Sequence, residues 1–121
     1  MNDKELLKLA AKAAGIDGVW TVGADFAFDP PRPTEEFWLS DEYGNWSIEW
    51  NPLTDDGDAL RLAVKCGISV GPESADVIGK SLCRASWLNK THSLGEYGDG
   101  DPYAATRRAI VRAAAEIGRT M

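Results

Sequence analysis

The side chains able to do chemistry are few and scattered. His92 is the only histidine, and Cys66 and Cys83 are the only cysteines, in 121 residues. A nucleophile–base pair would need Cys83 and His92 to meet, so that the imidazole could draw off the thiol proton. The alternation that sets Cys83 beside Ala85 and Trp87 instead places it on the apolar face of a strand, and His92 falls in the polar stretch Asn89-Lys-Thr-His-Ser. Zinc takes three or four ligands, and three widely spaced Cys and His side chains form no such set. Two acidic clusters, Asp55-Asp56-Gly57-Asp58 and Asp99-Gly100-Asp101, offer the oxygen ligands that suit calcium or magnesium. Neither continues into a twelve-residue loop closed by glutamate. Both stand directly before helices, where a carboxylate accepts from the free N–H groups of the first turn. No glycine-rich phosphate cradle occurs. These patterns nominate no catalytic residue, no metal site and no cofactor.

The tryptophans and the acids are more informative. Five tryptophans occur, three of them (Trp38, Trp46 and Trp50) within thirteen residues. The net charge of −6 is unevenly spread: Asp25 to Asp58 holds ten acids and one base, Arg32, leaving the remainder positive. The bases gather at the ends of the chain, as Lys4, Lys8 and Lys12, then Arg107, Arg108, Arg112 and Arg119. An acidic protein gains no nonspecific hold on nucleic acid through its general field. The acidic middle segment does suit a protein partner with a basic surface. Tryptophan is enriched at binding hot spots, so Trp38, Glu42, Tyr43, Trp46, Glu49, Asp55 and Asp56 are the candidate partner-binding residues, aromatic anchors with an acidic rim. The competing role for the tryptophans is a core face packed against helices.

The elements that must position these residues follow from periodicity. Residues 3–14 carry an apolar stripe at three-and-four spacing (Leu6, Leu9, Ala10, Ala13), capped by Asn2 or Asp3 and stopped by Gly15. From Glu36 to Trp50 the period becomes two, which predicts a β-hairpin with its turn at 41–45. The spacing predicts a second helix over 55–66, with Leu60, Ala63 and Val64 as its core stripe, widened by Ala59, Leu62 and Cys66. A third helix is predicted over 102–118, opened by Asp101 and Pro102, with Tyr103, Ile110, Ala114, Ile117 and Met121 facing the core. Short strands are expected at Val19–Val22 and Ile68–Val70, the second followed by a turn at 71–74, and a longer one from Val77-Ile78 through Ser81–Leu88, bent at Gly79. Residues 16–35, broken by Gly18, Gly23, Pro30, Pro31 and Pro33 apart from that first short strand, and 89–100 read as loops.

The resulting order is α-β-β-α-β-β-α. It predicts an α+β protein in which one small, mainly antiparallel sheet is covered by helices, an α/β/α sandwich-like arrangement. A chain of this length fits a single domain, residues 1–121. No apolar run approaches the roughly 20 residues of a membrane span. The charged N-terminus lacks the apolar stretch of a signal peptide, so a cytoplasmic location is expected.

Two stretches, residues 50–65 (WNPLTDDGDALRLAVK) and 101–118 (DPYAATRRAIVRAAAEIG), resemble the signature segments of small tailed-phage and prophage proteins of the phage ABA sandwich domain family. The resemblance covers a quarter to a third of the chain. It implies phage origin and an α/β/α sandwich, and it transfers no catalytic residue. The function expected is thus that of a phage accessory protein in a bacterial host, binding a host or phage protein without catalysis. The alternative is a small enzyme, or a metal- or nucleotide-binding protein, using the carboxylates of Asp55–Asp58 or Asp99–Asp101.

Overall fold

The computed structural model describes residues 1–40, 46–74, 81–88, 91–98 and 101–121. Among these residues three helices form where their caps and stops place them. Helix α1 (Asp3–Ala14) opens with a capping box: the Asn2 side chain accepts from the Glu5 N–H, and the Glu5 carboxylate accepts from the Asn2 N–H. Helix α2 (Asp56–Cys66) is capped by Asp55, whose carboxylate accepts from the Asp58 N–H at 2.8 Å. Helix α3 (Pro102–Arg119) is capped by Asp101, which accepts from the Ala104 N–H at 3.0 Å. Gly15 and Gly67, both with φ of 67°, provide the left-handed turns that end α1 and α2.

Among the described residues six strands form two antiparallel meanders, so the α+β class is as expected while the strands belong to two sheets instead of one. The first sheet comprises β1 (Gly18–Asp25), β2 (Arg32–Ser40) and β3 (Trp46–Glu49), in that order. The second comprises β4 (Ser69–Ser74), β5 (Ser81–Trp87) and β6 (His92–Gly98), again in order. The chain thus reads α-β-β-β-α-β-β-β-α. Stretches expected to be loops or turns are strand: β1 reaches Asp25, β2 starts at Arg32 and takes in Pro33, β4 runs through Gly71-Pro72, and β6 occupies most of 89–100. Val77, Ile78 and the bend expected at Gly79 lie outside the described residues. Pro33 pairs with Ala24 of β1, on the portion of β2 that β3 does not reach, and Pro72 sits on the edge strand β4. Proline is tolerated in a sheet where its missing N–H faces away from a neighbouring strand.

The chain forms two compact units, Ile16–Asn51 on the one hand and Met1–Gly15 with Pro52–Met121 on the other. In the larger unit α3 is the centre of the core. Its buried residues (Ala105, Ala109, Ile110, Val111, Ala113, Ala114, Ala115 and Gly118) lie around most of its circumference. It packs on α1, α2 and all three strands β4, β5 and β6. Small side chains on α1 (Ala10, Ala11, Ala14) and α3 let the two backbones approach closely. A methyl group added at Gly118 would overlap the Leu9 carbonyl oxygen.

In the smaller unit the core is aromatic. Phe37 lies between Trp20 and Trp50, with ring centroids 5.0 and 5.5 Å apart, and Phe37 and Trp50 are buried. The Phe37 ring covers Gly18, where a Cβ would fall inside van der Waals contact of three ring atoms. That overlap is why the strand begins with glycine.

Two expected core stripes are rotated. On α2 the buried residues are Asp58, Ala59, Leu62 and Ala63, while Leu60 and Val64 are 64% and 75% exposed. On α3, Ile110 and Ala114 are buried as expected, but Tyr103 and Met121 stand in solvent and Ile117 is half-buried. Among the described residues no helix is long and apolar enough to cross a membrane.

Candidate functional site

Strand alternation decides what the first meander presents. Phe37 points into the aromatic core, so its neighbour Trp38 belongs to the opposite face of β2. The register sets Val19, Trp38 and Glu49 side by side across the three strands. Trp38 is half-buried and its Nε1–H donates to the Glu36 carboxylate at 3.2 Å, which fixes the indole beside an acid. Glu49 is exposed. The turn between β1 and β2, at the far end of that pair of strands, carries Phe26, 81% exposed, and the half-exposed Phe28. Arg32, the one base in this acidic segment, lays its guanidinium 3.7 Å over the Phe28 ring. The face therefore combines an oriented tryptophan with the acids Glu36 and Glu49, while Phe26 and Phe28 lie beyond Asp25 and Arg32 at the far end of the β1–β2 pair.

Other candidates are distributed differently. Glu42 and Tyr43 lie outside the described residues. Trp46 stands opposite Ser40, where the register shifts. Asp55 and Asp56 belong to the larger unit and not to the Trp38 face. There Asp55 caps α2 and lies 3.9 Å from Arg61, and Asp58 accepts from Arg61 at 2.8 Å. Asp56 accepts from Arg107 at 2.7 Å, and Arg107 also donates to the Leu53 carbonyl. Asp101 is a cap, and Asp99 lies outside the described residues. These carboxylates are engaged as helix starts and ion pairs. Among the described residues, no group of three or more His, Cys, Asp or Glu side chains is placed to hold a metal ion.

Cys83 and His92 do not meet. Cys83 is buried opposite Glu96, whereas His92 pairs with Trp87 and stacks on its ring at 5.6 Å. Positions 92 and 96 are four steps apart along the strand, roughly 13 Å. His92 thus belongs to a strand, not to the loop expected for it. Both cysteines are free. Burial pushes the Cys66 thiol up, and the nearby Lys65 charge only partly opposes this, so the group stays protonated at neutral pH. Cys66, Trp87, His92, Ile117 and Arg119 border a cleft of about 440 Å³.

The arginines of α3 form internal pairs. Glu96 lies on the β6 face that α3 covers, and its carboxylate accepts from Arg112 while lying 3.7 Å from Arg108. Arg108 also reaches Asp3 of α1 at 3.2 Å, and Arg119 pairs with Glu116. The bases gathered on this helix are therefore matched by acids within the same unit, whereas the Trp38 face keeps its acidic character. The surface that sequence periodicity missed is apolar: Leu60, Val64, Val70 and Tyr103 are all exposed. The signal available for it was the excess of apolar positions on α2, which fill more of the helix than one buried stripe can use.

No protein-family model, curated protein or solved structure matches the chain.

Proposed function

We propose that this chain is a non-catalytic protein-binding module, an accessory protein of a bacteriophage or prophage acting in the cytoplasm of the bacterial host. The observation that carries the reading is the outer face of the first meander, where Trp38 is oriented by Glu36 and flanked by Glu49. An aromatic anchor within an acidic rim suits a partner with a basic surface. The phage origin rests on the likeness of residues 50–65 and 101–118 to the phage ABA sandwich family. Asp55, Asp56, Asp58 and Asp101 are occupied in capping and ion pairs, which favours binding over carboxylate chemistry.

Affinity capture from bacterial lysate with the wild-type chain, Trp38→Ala and Glu49→Lys tests this reading. A basic protein held by the wild type, released by added salt and lost with Trp38→Ala, is the expected result. Capture that ignores both substitutions would refute the assignment of this face. A thermal-shift screen with divalent metals and nucleotides tests the carboxylate alternative; stabilisation by one of them, abolished in Asp56→Asn, would replace binding with that function.

A further inference from the structure

Net charge separates between the two compact units. Ile16–Asn51 contains eight acids and one base, a net of −7, while the remaining 11 acids and 12 bases leave the rest of the chain at +1. The one base, Arg32, stands opposite Asp25 and lays its guanidinium over Phe28. Six strand steps separate it from Trp38, roughly 20 Å, so the unit brings no cation of its own to the tryptophan. Two carboxylates flank that indole. Glu36, two residues earlier on the same face, accepts the Nε1–H at 3.2 Å, a bond that engages the edge of the ring and not its face. Glu49 stands directly opposite on β3 and is exposed. Side chains paired in this way have Cβ atoms about 5 Å apart. Val19 completes the row on β1. An indole with an acid on two sides attracts a cation twice over, by its quadrupole and by the carboxylate charges.

We infer that Trp38, Glu36 and Glu49 receive one arginine side chain of the partner, its guanidinium lying on the indole and donating to both carboxylates. The inference rests on the protein-binding reading of this face and names the side chain that is bound. Guanidinium is selected over ammonium by its shape and hydration. It is planar and weakly hydrated, so it stacks on a ring at low cost, and its fork of five donors serves two carboxylates at once. Ammonium is a compact, strongly hydrated point charge with no flat face to lay on the indole. Glu36 spends one lone pair on the indole N–H and keeps acceptor capacity for the guest. Val19 offers an apolar wall to the methylene stem. The same unit already makes such a contact internally, where Arg32 covers Phe28 at 3.7 Å.

Nitrogen–proton correlation spectra of the full chain test the inference, because each of the five tryptophans gives one indole N–H signal. The signal missing from Trp38→Phe belongs to Trp38, and Trp38→Tyr serves if the phenylalanine variant loses the dispersion of the other four. The probes are a short blocked glycine–arginine repeat peptide and its lysine counterpart, added at constant ionic strength. The arginine peptide is expected to shift the Trp38 signal saturably and to bind about two- to fivefold tighter than the lysine peptide. Glu49→Gln should weaken the arginine peptide by about two- to fivefold, with the other indole signals in place as evidence of an intact fold. Equal affinity for the two peptides, a response indifferent to Glu49→Gln, or a Trp38 signal that never moves would overturn the inference. In that last case the lysate capture separates the two levels. Capture lost with Trp38→Ala keeps this face as a binding surface without an arginine anchor, whereas capture that ignores Trp38→Ala removes both.

Discussion

The meander β1–β3 and the meander β4–β6 share one strand order and one pairing sense, yet each is held together by different means. The second lies under α3, which supplies the apolar cover, so its strands can be largely polar. Among its described residues only Cys83 and Ala85 are deeply buried apolar ones, and Glu96 takes an inward position because two arginines receive it. The first has no helix among the described residues of its own unit and makes its core from the rings of Trp20, Phe37 and Trp50. A sheet that builds its core on one face keeps the other face out of that core, and here the second face bears the half-buried Trp38. The helix-covered sheet serves as scaffold, and the aromatic sheet carries the candidate site.

The largest effect that would break this contrast is expected from Phe37→Ala. Removing the central ring should cost about 3–5 kcal/mol and abolish the near-UV circular dichroism of the tryptophans around it. The far-UV helical signal, which comes from the larger unit, should persist. Gly118→Ala acts on the other side of the comparison. Its methyl would collide with the Leu9 carbonyl, and urea unfolding followed at a helical wavelength should show a loss of about 2–3 kcal/mol.

Glu96→Gln should be milder. The arginines facing Glu96 are each about 40% exposed, so water recovers much of the lost attraction and about 1 kcal/mol is expected in the same urea assay. The smallest effect belongs to Cys66. With its thiol pushed up by burial, alkylation at mildly alkaline pH should be slower in the folded chain than in the unfolded one. The folded state holds that proton more tightly, so the group's contribution to stability is complete below the ordinary thiol range and declines as pH rises through the raised value.

The helices were legible because caps, stripes and stops agreed. Asn2, Asp55 and Asp101 begin them, and Gly15 and Gly67 end the first two. Two rules of thumb failed for physical reasons. Polar and glycine-rich strands such as His92–Gly98 have no apolar alternation to read, because α3 and its arginines supply the missing partners. Apolar stripes on short helices were rotated because α2 has apolar residues on more than one side: Ala59, Leu62 and Ala63 fill the core, leaving Leu60 and Val64 outside. The candidate site was legible in part. Period-two alternation already separated Phe37 from Trp38, but the sequence did not show that Asp55 and Asp56 belong to a different compact unit. Nor did it show that Phe26 and Phe28 stand exposed in the turn between β1 and β2.

The outer faces of the two meanders each present an aromatic residue, Trp38 on the first and Tyr97, 60% exposed, on the second. Placing a photo-crosslinking phenylalanine analogue at position 38 or at position 97, and irradiating in bacterial lysate, compares them directly. A discrete adduct with a basic protein from position 38, and none from position 97, is the predicted result. An adduct from position 97 alone, or equal yields from both, would contradict the assignment of recognition to the aromatic meander.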